Sequence, residues 1–219
     1  MKSRIAYLAA VAAVFAGVRP SGATPSTLVW IPSTDLQAAG TWHLGQDNYF
    51  PHEGNSLLDL GLTYGLPKAE IGFDYLTPGN DPWSLNAKVL LTDESASKPR
   101  VVLGGYGFGT DSNTTASNLV YALASKTLAD GSRLTLGYGQ GRKATLGPDN
   151  GMVLAGIDKS FNSRWWGAVD YQGGDSAFGA LSFGVAYAFN SSTSLILGYD
   201  FYNAPGVPGT VTAQMDLNF

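Results

Sequence analysis

The stretches ALSFGVAYAF (residues 180–189) and TSLILGYDFY (residues 193–202) decide the fold. In each of them large apolar side chains alternate with small or polar ones, which is the two-residue period of a β-strand whose two faces meet different surroundings. Asn190-Ser191-Ser192 separates the two stretches and has the length and composition of a tight turn. We therefore expect an antiparallel hairpin with one apolar face and one polar face.

The same pattern recurs along most of the chain. After Thr24 no segment keeps a helical period over a useful length, and runs of about ten residues alternate instead. We count about twelve such runs, the first over residues 36–45 and the last over residues 209–219, with short connections alternating with longer ones. These features are typical of outer-membrane barrels. The sequence thus predicts an all-β fold, an antiparallel up-and-down transmembrane β-barrel of about twelve strands.

The composition favours the same fold. Charged residues make up 14% of the chain, below the roughly 25% of soluble domains. The mean hydropathy is +0.00, as expected when apolar outward residues alternate with polar inward ones. The chain has no cysteine, which excludes disulfides and thiolate metal sites, and its net charge of −4 argues against a nucleic-acid partner. No cofactor or metal is predicted.

The N-terminus predicts export. Lys2 and Arg4 precede an apolar run over residues 5–18, and Ser21-Gly22-Ala23 offers small residues for cleavage, which is the pattern of a signal peptide. A membrane anchor is the alternative, but the run is shorter than the ~20 residues that a helical span needs. We expect a cleaved signal peptide over residues 1–23, a periplasmic segment over residues 24–35 and an outer-membrane barrel over residues 36–219.

The last strand resembles the terminal signal of outer-membrane barrels, which ends on an aromatic residue and is read by the barrel-insertion machinery. Its apolar face contains Val211, Met215, Leu217 and Phe219. In a soluble protein such a strand would leave an exposed edge, and closure against the first strand removes that edge. The expected partners are therefore the insertion machinery and outer-membrane lipid.

Outward aromatic residues are expected to form two belts at the bilayer interfaces, because their rings are apolar and the tips of Tyr and Trp are polar. With the N-terminus in the periplasm, the predicted outer belt contains Trp42, Tyr75, Trp83 and Tyr199. The predicted inner belt contains Tyr64, Trp165, Tyr187 and Phe189.

Charged residues at inward positions are predicted to line the lumen: Asp59, Glu70, Asp74, Lys88, Lys126, Arg133, Arg164, Asp170 and Asp200. They could line a narrow polar pore, or pair across the lumen and plug it. A barrel of about twelve strands lies between the eight whose interior fills with side chains and the sixteen of open porins. Many other inward positions are Gly, Ala or Ser, so we favour a narrow water-filled lumen and a passive channel for small polar solutes.

Residues 31–141 resemble a repeated unit of the outer-membrane barrel family linked to exopolysaccharide and capsule secretion. The matching pieces are Ile31-Pro32-Ser33-Thr34, NAKVLLTDE (residues 86–94), PRVVLGGYGFGT (residues 99–110) and LVYALASKTL (residues 119–128). They cover about half of the chain, and they are structural rather than catalytic motifs. The resemblance implies a barrel, and as an alternative function a structural or binding barrel that assists secretion of a polysaccharide.

Catalysis is not expected. An outer-membrane lipid hydrolase, the remote alternative, would need an activated hydroxyl beside a histidine. The chain has two histidines, His43 and His52, and no recognisable lipase motif surrounds either. His43 is predicted to point inward and His52 to lie in a loop, and we expect neither to be catalytic.

Overall fold

The computed structural model describes residues 26–111, 113–176 and 178–219. The predicted signal peptide lies outside the described residues. The described chain forms twelve strands and one short helix, α1 (Lys143–Leu146). No helix in this part of the chain is long and apolar enough to cross a bilayer. The strands are β1 (Trp42–Pro51), β2 (Leu57–Leu66), β3 (Ala69–Thr77), β4 (Trp83–Thr92), β5 (Arg100–Gly109), β6 (Leu119–Thr127), β7 (Arg133–Gln140), β8 (Gly151–Ser160), β9 (Trp165–Gln172), β10 (Ala180–Ala188), β11 (Thr193–Tyr202) and β12 (Thr210–Asn218).

The strands form a closed antiparallel barrel in which each strand pairs with its neighbours in sequence and β12 pairs with β1. The closing seam runs from His43 opposite Asn218 to Pro51 opposite Thr210. Beyond it, Trp42 and Phe219 exchange backbone hydrogen bonds of 2.7 and 2.9 Å. Closure pairs the edge strands, which an apolar environment requires because it offers no water to unpaired backbone groups. The predicted fold class and strand number are confirmed.

The barrel has two different ends. At the terminal end, where β1 begins and β12 ends, the connections are residues 67–68, 93–99, 128–132, 161–164 and 189–192. At the loop end they are residues 52–56, 78–82, 110–118, 141–150, 173–179 and 203–209. The connection over residues 93–99 is long for the terminal end, and it folds back onto β6, where Thr127 N and Oγ1 donate hydrogen bonds to the Glu94 carboxylate.

The outward face is apolar. Leu85, Leu136, Val153, Leu197 and Phe201 leave half or more of their surface exposed. Aromatic side chains pair across neighbouring strands at both ends, with ring centroids 4.9 Å apart for Trp165 and Tyr187 at the terminal end. Such a surface suits lipid rather than water.

The first strand lies later in the chain than predicted. β1 covers residues 42–51, whereas the first alternating run predicted a strand over residues 36–45. The polar stretch Gln46-Asp47-Asn48 reads as a loop, but Asp47 points into the polar lumen while both neighbouring strands pair with β1. Because β1 begins at Trp42, this ring contacts Tyr64 at 4.7 Å at the terminal end. Trp42 and Tyr64 therefore lie at the same end of the barrel, and not in opposite belts as predicted.

Candidate functional site

Residues 26–41, the lumen segment, enter the barrel: residues 28–29 and 31–34 are buried, and residues 38–40 are exposed at its terminal end. The placement of residues 24–35 in the periplasm therefore needs correction from Ser26 onwards. The segment begins with a turn over residues 26–33, the lumen hairpin, closed by Leu28 N donating to Ile31 O at 2.8 Å and Ser33 N donating to Ser26 O at 2.9 Å. Leu28, Val29 and Ile31 are at most 2% exposed, and they form the apolar core together with inward side chains of the barrel wall.

Glycines on the lumen wall make room for the hairpin. A Cβ at Gly156 of β8 would lie 2.6 Å from Leu28 Cδ1, and one at Gly184 of β10 would lie 3.1 Å from Val29 Cγ2. Contacts of 2.6 Å are too short for real Cβ atoms. The small inward residues of β8 and β10 therefore make room for the lumen hairpin.

Polar groups of the wall fix the hairpin backbone. Asp170 Oδ2 accepts hydrogen bonds from Val29 N at 2.7 Å and Trp30 N at 3.0 Å, and Gln214 Nε2 donates to Val29 O at 2.8 Å. Asp170 is 1% exposed. A buried carboxylate needs such donors, because its desolvation is otherwise very costly.

The rest of the lumen segment crosses the terminal end of the barrel. Thr34 Oγ1 lies 2.5 Å from Ser125 Oγ of β6, and Asp35 forms an ion pair with Arg133 of β7. On the opposite wall, Gln37 N donates to the Glu70 carboxylate of β3 at 2.6 Å. The chain thus spans the lumen from β6 and β7 to β3 before it enters β1.

The four pieces of the exopolysaccharide-family resemblance meet at this crossing. Lys88 Nζ donates to Ser33 O at 3.2 Å, Arg100 Nε donates to Thr34 O at 2.8 Å, and Ser125 contacts Thr34. These residues belong to the motifs 86–94, 99–110 and 119–128, and Ser33 and Thr34 belong to the first motif. The motifs therefore form one packing unit, which docks the lumen segment against β4, β5 and β6.

A cavity of about 580 Å³ remains beside the lumen segment. It runs along β1 to β5, on the side of the lumen away from the glycines that contact the hairpin. Its wall contains six carboxyl groups: Asp47, Glu53, Asp59, Glu70, Asp74 and Asp216. Lys88 also lines it and forms a buried ion pair with Glu70, with Nζ and Oε1 3.1 Å apart.

The predicted lumen residues fall into two groups. Asp59 and Asp74 line the cavity, where Asn86 Nδ2 donates to Asp74 Oδ2 at 2.8 Å. Glu70, Lys88, Arg133 and Asp170 hold the lumen segment. Two of these, Glu70 and Lys88, also line the cavity. Asp200 is fully buried on the inward face of β11. Sequence reasoning missed Asp47 and Asp216, although both have the strand periodicity of inward residues.

Two predicted lumen residues lie at the rim. Arg164 precedes β9 in an exposed turn, and its Nη1 donates to the Tyr187 hydroxyl at 3.0 Å on the outward face. Its assignment to the lumen is wrong, because the turn directs the side chain along the outer surface. Lys126 binds the carbonyl oxygens of Ser95 and Ala96 in the terminal-end connection, so it fastens a loop instead of facing the cavity.

The two histidines show no catalytic arrangement. His43 Nδ1 lies 3.0 Å from Asn218 Oδ1, and its Nε2 lies 3.5 Å from Asp216 Oδ1. This trio lacks the nucleophile that an acyl hydrolase requires. His52 lies exposed in the loop between β1 and β2.

No protein-family model and no curated protein matches the sequence. Solved structures do share its architecture. The KdgM porin is 9% identical with a TM-score of 0.57, over 81% of this chain and 98% of that one. The Acinetobacter baumannii outer-membrane protein Omp33 is 8% identical with a TM-score of 0.52, over 84% and 98%. The NanC porin is 13% identical with a TM-score of 0.51, over 80% and 98%.

The chain has the fold of an outer-membrane β-barrel. At identities this low the similarity concerns the fold alone. No match shows membership of the exopolysaccharide family that residues 31–141 resemble.

Proposed function

We propose that the protein is a narrow, porin-like channel of the outer membrane whose lumen is restricted by its own lumen segment. The observation that carries this proposal is the cavity of about 580 Å³ that runs along β1 to β5 inside a closed barrel. A closed barrel with an apolar outer face is one of the two architectures that can span a bilayer. A cavity inside it whose wall carries six carboxyl groups offers small polar solutes a path that lipid does not.

The terminal end then faces the periplasm, as expected for a chain exported with an N-terminal signal. The loop end carries the longer connections and faces outward, in agreement with the usual asymmetry of such barrels. In this orientation the crossing over residues 34–41 lies at the periplasmic mouth and the cavity is reached from outside.

The lumen does not favour an acidic saccharide. One solved structure of the KdgM porin is a complex with oligogalacturonate, an acidic sugar chain. Here the cavity wall contains six carboxyl groups, and the lysine among them is already paired with Glu70. Like charges in a narrow lumen would repel such a solute.

Liposome swelling tests the channel. Proteoliposomes that contain the wild-type barrel should swell in isotonic solutions of small neutral solutes and stop swelling as the solutes grow larger. Liposomes with heat-denatured protein are the control. If neither the wild type nor an Asp170→Asn variant with a loosened lumen segment admits any solute, the channel proposal is wrong.

A second candidate is a structural barrel that assists secretion of an envelope polysaccharide. The convergence of the four family-like motifs at the crossing of the lumen segment favours it, because these motifs then share one structural task. A deletion strain with reduced capsule, restored by the wild-type gene, would support this role. An unchanged capsule would count against it.

A further inference from the structure

The loop-end part of the cavity is lined with aromatic rings. Trp30, at the tip of the lumen hairpin, contacts Tyr49 and Tyr202 edge to face, with ring centroids 5.6 and 5.4 Å apart. Tyr106 and Phe178 form a second cluster with centroids 6.3 Å apart. All five residues line the same cavity. Their ring faces carry partial negative charge, which attracts cations.

Carboxyl groups adjoin these rings. Asp47 lies two residues before Tyr49 on the same face of β1, and directly opposite Asp59 of β2. Asp59 Oδ1 is buried and has no hydrogen-bond partner in the described structure. Asp74 of β3 lies opposite Gly61, two residues along β2 from Asp59, and it lines the same cavity.

A second carboxyl group of the cavity wall, that of Asp216, also has one oxygen without a hydrogen-bond partner. Asp216 is 0% exposed, its Oδ2 accepts from Ser194 Oγ at 3.1 Å, and its Oδ1 has no hydrogen-bond partner. His43 Nε2 lies 3.5 Å from Oδ1, and it carries a positive charge only when the imidazole is protonated. Unpartnered buried carboxylate oxygens are costly, and a ligand that carries positive charge would lower that cost.

The ligand class follows from size and chemistry. Among the described residues no three His, Asp or Glu side chains converge as metal ligands do. The cavity volume of about 580 Å³ falls within the range of small-molecule sites. A cation with an apolar shell can contact the ring faces while its charge faces the carboxylates, and a quaternary or alkylated ammonium group has both properties.

We propose that the lumen cavity binds an organic cation of the alkylammonium class, held between the Trp30 and Tyr106 ring clusters and the carboxylates of Asp47 and Asp59. As a route for transport the site rests on the proposed channel. Binding itself needs only the folded barrel, and can be measured without any current.

Calorimetry on the full-length purified barrel in detergent tests the proposal, with choline chloride as the probe and its neutral isostere 3,3-dimethylbutan-1-ol as the comparison. We expect choline to bind at least tenfold more tightly than the isostere. Asp59→Asn should weaken choline binding about tenfold or more, because it removes a charge next to the ligand without changing size. Tyr49→Leu should weaken it about 2- to 30-fold, through loss of a ring face.

Asp130→Asn is the matched control, since it removes the same charge from an exposed turn outside the cavity, and it should bind choline as the wild type does. The proposal is overturned if choline and the isostere bind alike, if choline does not bind at 50 mM, if sodium displaces choline as well as tetramethylammonium does, or if Asp59→Asn and Asp130→Asn behave alike. Choline binding without solute flux in liposomes would refute the channel and leave the binding site standing.

Discussion

Replacing Asp170 by Asn should loosen the lumen hairpin from the barrel wall. Asp170 Oδ2 accepts two backbone hydrogen bonds from the hairpin, from Val29 N and Trp30 N, at 2.7 and 3.0 Å. Hydrogen bonds to a charged acceptor contribute about 1.5–3 kcal/mol, and neutral ones about 0.5–1.5 kcal/mol. The change from carboxylate to amide should therefore cost about 2–3 kcal/mol over the two bonds. At about 1.4 kcal/mol for each factor of ten, the displaced hairpin becomes roughly 25- to 150-fold more populated.

A thiol at position 29 reports this population. The chain has no native cysteine, so Val29→Cys introduces the single thiol of the protein. Val29 is 2% exposed, and reagent can reach a thiol there only when the hairpin leaves the wall. Because position 29 keeps its backbone N–H, the rate of reaction with N-ethylmaleimide should rise roughly 25- to 150-fold when Asp170→Asn is added.

Asp216→Asn is the matched control for this experiment. Asp216 is as buried as Asp170, but the hydrogen bond to its Oδ2 comes from Ser194 of the barrel wall and not from the lumen segment. It should leave the reaction rate close to that of Val29→Cys alone. Equal rates with and without Asp170→Asn, or an equal rise with Asp216→Asn, would refute the assignment of Asp170 as the anchor of the hairpin.

Three further changes test other parts of the structure. A Val29→Cys/Gly184→Cys pair should oxidise to a disulfide, because Val29 Cγ2 lies 3.1 Å from the Cβ position of residue 184, near the roughly 3 Å between Sγ and the opposite Cβ in a disulfide; a free thiol count of two after oxidation would contradict the docking of the hairpin. Lys88→Met should lower the free energy of unfolding by about 3–5 kcal/mol, because it leaves the buried carboxylate of Glu70 without its ion-pair partner. A further Glu70→Gln change should recover part of that loss, and an unchanged unfolding midpoint of Lys88→Met on heat-modifiable gels would refute this. Phe219→Ala should lower the amount of protein in the outer membrane much more than Phe189→Ala, although each removes one ring worth about 1.5–3 kcal/mol; equal membrane levels would show that the last residue is no assembly signal.

The strands could be predicted from the sequence because each one is long enough to show its period. β10 and β11 alternate without interruption, and their burial follows the same alternation. The sequence of β5, RVVLGGYGFG, shows no regular alternation, and the structure gives the reason. Gly107 has a φ of +68° and a Cβ there would collide with Ser117 Oγ. Tyr106 faces the cavity, whereas Phe108, two residues later, is exposed on the outer face. The register of β4 and β5 shifts at this point, as in a β-bulge, and the extra residue interrupts the alternation.

The lumen segment could not be predicted in the same way. Its residues have no strand or helix period, and its key contact joins Val29 to Asp170, 141 positions away. Such a contact depends on the closed barrel, which places β9 next to the hairpin, so no local sequence pattern predicts it. The available signal was indirect, namely acidic residues such as Glu70 and Asp170 at inward positions together with glycines at inward positions of β8 and β10.

The most direct test of the channel is the single-channel current in planar bilayers. It compares the wild type with a variant that lacks residues 26–36. Heat-modifiable gel mobility shows beforehand that the variant is folded. The lumen segment lies beside the cavity and forms part of its wall through Trp30 and Pro32, so its removal should widen the water-filled path. We predict small discrete current steps for the wild type and clearly larger steps for the shortened variant. Absence of steps from both folded proteins, or steps of equal size from the two, would contradict a narrow channel restricted by its own N-terminal segment.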